Sequence, residues 1–279
     1  MPLELPVEWL FLISILAGFV GAMSGMGGGV VLIPALTLFH MDIKEAIAIS
    51  IVSVIATSSG SAAAYVRDRI TNLKVGMFLE MFTIVGALAG AAITLFAVQQ
   101  VLFILFGLVL LTSAAILFLQ RRHAAWATAH QDSFSRWLEL EGSYHDQATG
   151  QAIHYRGCRA YLGGPLMFGA GLIAGLLGIG AGALKVLIHD LVMKLPPKVS
   201  TTTSNLIIGV TALAGTSVYL GAGMIDAGAA VPVIIGITLG AFLGTRLLVR
   251  ITNQAVRRFF LLVLLVLGVE MIVRGIRGG

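Results

Sequence analysis

Eight long apolar runs occupy most of this chain, and they constrain its fold more than any motif does. They cover about Val7–Phe39, Glu45–Tyr65, Val75–Val98, Val101–Leu119, Leu162–Met193, Val199–Leu220, Ala227–Val249 and Ala255–Val273. Most are close to the roughly 20 residues that an α-helix needs to cross ~30 Å of hydrocarbon. Charged residues make up 11% of the 279 positions, against about 25% in a soluble domain. A solvated surface cannot be built from so few charges, so the bilayer is the main solvent. The expected class is all-α: a polytopic membrane protein.

The first and fifth runs are longer than the rest, and each holds a glycine cluster. In the first, "GAMSGMGGGVVLIP" (Gly21–Pro34) places five glycines within nine residues. Glycine destabilises a helix interior by roughly 1 kcal/mol relative to alanine, so a plain span should avoid such a cluster. Offset by 153 positions, "AGFVGAMSGMGGG" (Ala17–Gly29) falls on "AGLIAGLLGIGAG" (Ala170–Gly182), with five of thirteen residues identical. At an offset of 154 the matches continue with Ser50/Ser204, Thr57/Thr211, Tyr65/Tyr219, Gly86/Gly240, Ala87/Ala241 and Gly90/Gly244. The chain reads as two repeats of four hydrophobic elements, with elements one and five broken at the glycine clusters.

Charge orients the repeats. The connection after element two holds Arg67, Arg69 and Lys74, whereas its counterpart, "GAGMIDAG", holds no Lys or Arg. The connection after element three, "VQQV", holds none, whereas its counterpart holds Arg250, Arg257 and Arg258. The bias flips between equivalent loops, as inverted repeats require under the positive-inside rule. Extending this topology puts Arg121, Arg122, Arg136, Arg156, Arg159, Lys194 and Lys198 on the cytoplasmic side as well. It requires elements one and five each to re-enter or to cross twice. The expected organisation is residues 7–120 as the first membrane repeat, 121–160 as a cytoplasmic connecting segment, and 161–277 as the second repeat.

Several other functions are disfavoured. The pI near 9.7 reflects basic residues at the ends of spans, so nucleic acid is not an expected partner. Glu4 and Glu8, with no basic residue beside them, do not make a signal peptide, and the first run is expected to stay as a span. The single cysteine, Cys158, allows no internal disulfide and no multi-cysteine metal site. In the connecting segment, His123, His130, His145 and His154 have no metal-ligand spacing, and "LELEGSYHDQATGQAIHY" reads as two strands around an Ala-Thr-Gly turn. No cofactor and no enzymatic activity are expected.

Broken backbone inside a membrane is tolerated where it is buried in protein or lines a cavity. A new helix start exposes unpaired amides and roughly +0.5 elementary charge, which binds anions. Here the starts fall near Gly27–Val30 and Gly180–Ala183. The candidate substrate-binding residues are therefore Gly27, Gly28, Gly29, Gly180, Ala181 and Gly182, whose backbones lie open. Lys185, in "GAGALKVLIHD", can hold an anion's charge or change protonation; its alternative is a salt bridge with Glu80 or Asp190, or snorkelling. Thr57, Thr203, Ser204 and Asn205 can complete the hydrogen bonds of an oxyanion, although a membrane Ser or Thr often bonds its own helix. His189 and Asp190 are expected to cap the cytoplasmic surface. Glu80 and Glu270 are candidate proton carriers, and the Gly86/Gly90 and Gly240/Gly244 pairs are expected to serve packing.

On these residues the chain resembles the sulfite exporter TauE/SafE family, through "GMGGGVVLIP", "GIGAGALKVLI" and the "TSN" of Thr203–Asn205. The resemblance covers essentially the whole chain. It implies a multi-pass transporter of the cell inner (cytoplasmic) membrane that moves sulfite, thiosulfate or an organosulfonate such as sulfoacetate. Protons are its usual coupling ion. The halves depart from each other: Ala181 stands where the first has Gly28, Leu187 where it has Pro34, and Lys185 where it has Leu32. A passive anion channel is the alternative, and a cation carrier would want more intramembrane carboxylates.

Overall fold

The computed structural model describes residues 6–24, 27–67, 70–119, 130–146, 150–248 and 253–278. Gly25, Arg69, Arg121, Arg122, His123 and Arg250 lie outside the described residues, as does most of the Ala-Thr-Gly turn.

The protein is mostly helical, and the apolar runs resolve into α1 (Val7–Ser24), α2 (Gly29–Leu38), α3 (Ile43–Arg67), α4 (Leu73–Phe96) and α5 (Gln99–Leu119). A short α6 (Ser133–Trp137) and the strands β1 (Glu141–Asp146) and β2 (Gln151–Arg156) come next. After them come α7 (Ala160–Leu177), α8 (Gly182–Leu187), α9 (Pro197–Gly221), α10 (Ala227–Leu248) and α11 (Asn253–Arg277). Residues Ile188–Val192 continue α8 as a π-helical turn. Among the described residues, five helices are long and apolar enough to cross a membrane: α4, α5, α7, α9 and α10, the relevant parts being Leu73–Phe96, Gln99–Ile116, Ala160–Leu177, Pro197–Gly221 and Ala227–Gly244. Met77, Met81, Phe96, Leu239 and Phe242 are exposed on these helices, an outer face that suits lipid and not water.

The helices pack in pairs: α1 on α10, α4 on α7, α5 on α11, and α3 on α9, with α4 also lying along α9 and α3 along α10. Small residues set the closest approaches. A Cβ on Gly18 would stand 2.1 Å from the Ile237 carbonyl oxygen, and one on Gly240 would stand 2.0 Å from that of Ile15. Between α4 and α7, a Cβ on Gly86 would stand 2.2 Å from Phe168 O and one on Gly171 would stand 2.4 Å from Thr83 O. Only a missing side chain permits such backbone contact, and this is the packing that membrane helices use where no hydrophobic drive separates lipid from helix. Cations close two helix ends: Lys44 donates to Leu95 O at 3.0 Å, and Arg274 to Thr37 O at 2.5 Å. Each bonds a carbonyl in the last turn of its helix, and the Thr37 carbonyl also accepts from the His40 amide.

The connecting segment is docked against the helices. β1 and β2 form an antiparallel hairpin with Ser143 opposite His154. Leu140, Tyr144 and Tyr155 pack with Val75 and Leu79 of α4, Val199 of α9 and the loop residues Met193 and Leu195. The Asn72 side chain caps α4 by accepting from Val75 N at 3.0 Å, and donates to the Tyr155 hydroxyl at 3.0 Å. Asp132 caps α6 and also accepts from the Arg159 amide. Although partial burial works the other way, the Ser135 hydroxyl and these amides hold its carboxyl below the usual range. Cys158 is buried against Met193, and that burial pushes its thiol up.

Candidate functional site

The starts of α2 and α8 rest on unusual backbone. Gly27 has φ +86°, Gly178 +65° and Gly180 +71°, the left-handed region that side chains disfavour. Ala181, immediately before α8, has φ +49° despite carrying a Cβ, a strain of about 1–3 kcal/mol. Its positional counterpart Gly28 has φ −67°, which any residue adopts. Gly28 is small for another reason: a Cβ there would stand 2.2 Å from Ile237 Cδ1.

The two starts lie against each other. A Cβ on Gly27 would touch Val54 Cγ2 at 3.7 Å, and one on Gly180 would meet Val54 Cγ1 at 3.2 Å and Ile208 Cγ2 at 2.9 Å. One valine from α3 therefore spans the gap between the two glycines, and Ile208 of α9 closes the second side. The Ser50 hydroxyl donates to Gly178 O at 3.1 Å, and the Ser204 hydroxyl to Gly182 O at 3.5 Å. Gly29 lies so close to this junction that a Cβ would stand 2.4 Å from Ser50 Oγ. Val30 of α2, Ile179 and Ala181 before α8, and Gly182–Leu184 of α8 line one narrow cavity with Val109, Leu110 and Ser113 of α5. It has room for about one water molecule.

Lys185 follows in the first turn of α8, and its side chain is fully buried. Its ammonium does not snorkel; it donates to the Thr211 hydroxyl at 2.9 Å. That hydroxyl lies 3.2 Å from Glu80 Oε1 and 2.5 Å from Ile207 O of its own helix. The Thr83 hydroxyl stands 3.4 Å from the same carboxylate oxygen. Glu80 and Thr211 are buried as well. A cation and a carboxylate are thus joined through one hydroxyl where α4, α8 and α9 meet. Insertion scales put the cost of a mid-membrane lysine at roughly 2.5–3.5 kcal/mol, and Thr211 with Glu80 offsets it.

His189 departs from the surface role expected of it. The π-helical turn carries its ring inward, where it is fully buried with Nδ1 3.2 Å from Ser200 O. Asp190, beside it, is half-buried.

The other candidates occupy different ground. Thr57 bonds the carbonyls of Ser53 and Val54 in its own helix. Thr203 accepts from the Asn72 amide at 3.1 Å and so belongs to the loop that caps α4. Asn205 is half-buried, two positions further along α9. Glu270 pairs with Arg274 one turn away. The candidate set read from sequence contains Thr57 but not Thr211, although the two are related by the 154-residue offset. That offset, applied beside Lys185, is the signal that finds Thr211.

No solved structure matches the chain. A Bacillus subtilis (strain 168) protein described as "Probable membrane transporter protein YunE" is 26% identical over 275 residues, 96% of this chain and 97% of that one. A second from the same organism, "Probable membrane transporter protein YdhB", is 27% identical over 238 residues, 85% of this chain and 86% of that one. The model of the family "Sulfite exporter TauE/SafE" matches residues 10–271, and the chain therefore belongs to this family of membrane transporters, which are not enzymes.

Proposed function

We propose that the protein is a secondary transporter of a small sulfur-containing anion: sulfite, thiosulfate or an organosulfonate such as sulfoacetate. It works in the cytoplasmic membrane by proton-coupled alternating access. The observation that carries this reading is the junction of the two helix starts. Gly27 and Gly180 face one valine, Val30 and Gly182 line one cavity, and a buried lysine follows in the next turn. Short helices that begin in bare backbone offer several amides to one oxyanion, and Lys185 supplies the full positive charge that a dianion needs.

Two halves of opposite orientation, 7–120 and 161–277 joined through 121–160, are supported by the packing. Gly18 approaches Ile237 as Gly171 approaches Thr83, and Gly86 approaches Phe168 as Gly240 approaches Ile15. Each pair maps onto its partner by an offset of 153 or 154 positions. Rocking one half against the other opens the junction to alternate sides. Val54 and Ile208 fill it now, so an anion larger than water enters only as these side chains part. Gly29 and Ala181 belong to the surrounding wall, and Ser204 holds α9 to Gly182 beside it.

Flux into liposomes of purified protein, with and without an imposed pH gradient, tests the reading. Sulfite, thiosulfate, sulfoacetate and chloride are compared. Gradient-stimulated flux of one sulfur anion is the expected result. Gradient-independent flux of several anions, chloride included, would replace the carrier with a channel.

A further inference from the structure

The chain of contacts from Lys185 through Thr211 to Glu80 carries more than a structural ion pair. A lysine whose charge is satisfied by a carboxylate attracts an anion weakly. A lysine whose carboxylate has been neutralised attracts one strongly, because nothing else nearby balances it. Among the described residues the buried charged or titratable side chains are few. α4 contributes Glu80, and α8 with its π-helical turn contributes Lys185 and His189. α7, which packs along α4, offers only the exposed Tyr161 at its start, and α9 offers Lys198 in its first turn and Tyr219 near its end. The Tyr219 hydroxyl is held by Gly175 O at 2.7 Å. Asp190 is only half-buried and lies outside this set. No second carboxylate in this set stands ready to replace Glu80 at Lys185.

The hydroxyl between the two has a choice of acceptors. With Lys185 donating to it, the single Thr211 proton goes either to Glu80 Oε1 at 3.2 Å or to Ile207 O at 2.5 Å. An ionised Glu80 draws the proton toward itself and locks the three groups together. A protonated Glu80 needs no donor, and the hydroxyl turns to Ile207; its oxygen still accepts from Lys185, but the lysine's charge is no longer balanced and is open to a different anion. A hydroxyl with two acceptors in reach is a two-position element of the kind a switch requires.

We propose, resting on the transport reading above, that Glu80 and the transported anion compete for Lys185, with Thr211 as the element that passes the lysine between them. A proton on Glu80 is then the condition for anion binding: one proton enters the site with each anion and leaves when Glu80 recaptures the lysine. The counts follow from the side chains, since one lysine and one carboxylate make one exchange. Linkage makes the effect reciprocal, so a proton on Glu80 strengthens anion binding by the factor by which the anion strengthens protonation.

The test is calorimetric titration of the full-length protein in nanodiscs between about pH 6 and pH 8, in buffers of different ionisation enthalpy. Thiosulfate and sulfoacetate are the probes, because neither changes its own charge over that range. Binding that tightens up to ~10-fold per pH unit on acidification, with close to one proton taken up per anion, is the expected wild-type result. Glu80→Gln is expected to bind with an affinity that no longer depends on pH and to take up no proton. Thr211→Val is expected to show a shallower pH dependence, and serves if Glu80→Gln does not fold. Anion binding by the wild type without proton uptake overturns the proposal and leaves the transport reading standing. A Glu80→Gln variant that keeps the wild-type slope does the same. No binding of either probe by the wild type at any pH overturns the transport reading, and this proposal with it.

Discussion

Two places in the molecule correspond by position and differ in chemistry. One is Lys185 with Thr211 and Glu80; the other, displaced by 153 or 154 positions, is Leu32 with Thr57 and Ile234. Both have a residue in the first turn of a short helix and a threonine on the long helix that follows. The third member comes from α4 in the place that holds Lys185 and from α10 in the place that holds Leu32. Leu32 is fully buried like Lys185, and Thr57 bonds its own helix like Thr211. Only the place that holds Lys185 has charges. A duplicated frame thus carries one polar device, not two, which suits a site that handles one anion at a time.

The comparison can be broken in order of expected effect. Lys185→Leu, which gives the second half the residue of the first, leaves the Glu80 carboxylate buried without its cation. It should cost about 3–5 kcal/mol and abolish flux. Adding Glu80→Ile should recover most of the thermal stability in detergent and none of the flux. A double variant that transports at the wild-type rate would make the cluster structural. Leu32→Lys is the converse: it adds a second buried lysine, and the position equivalent to Glu80 holds Ile234, which has no carboxylate. A loss of similar size is expected, and a wild-type melting temperature would show that this place is wetter than its burial implies.

Thr211→Val removes the acceptor of a charged donor and should cost about 1.5–3 kcal/mol, again read as a melting shift. The smallest changes sharpen the shared frame. Gly86→Ala and Gly240→Ala each push a methyl into a facing carbonyl, and each should cost about 1–3 kcal/mol. Equal losses are expected, because the two glycines hold equivalent helix pairs. A clear inequality would show that the halves are packed by different rules.

Much of this was legible in the residues. The apolar runs, the scarcity of charge and the paired glycine clusters point to a membrane transporter and to its family. The Gly86 and Gly240 contacts follow from the small-residue spacing alone, because helical periodicity puts positions four apart on one face. The hairpin over Glu141–Arg156 is equally local, since alternation and a turn specify it. His189 was not legible: a π-helical turn moves a residue to a new face, and no periodicity announces one. Thr203 looked like part of an anion site, yet it serves the Asn72 amide, because the loop that meets α9 comes from 131 positions away.

The sequence by itself determined the solvent, the class and the order of the helices, since each depends on hydrophobicity summed over some twenty residues, and such sums are robust to single exceptions. It also determined which backbone could be left bare, because glycine is the residue that tolerates a left-handed turn and a close approach. Only the tertiary structure decided which partner Lys185 has. Asp190 was nearer in the chain and Glu80 far from it, and a buried charge takes the partner that geometry delivers. The packing of α4 along α9 brought Glu80 and Thr211 to the lysine, and that packing is a sum of many backbone contacts that no single motif encodes.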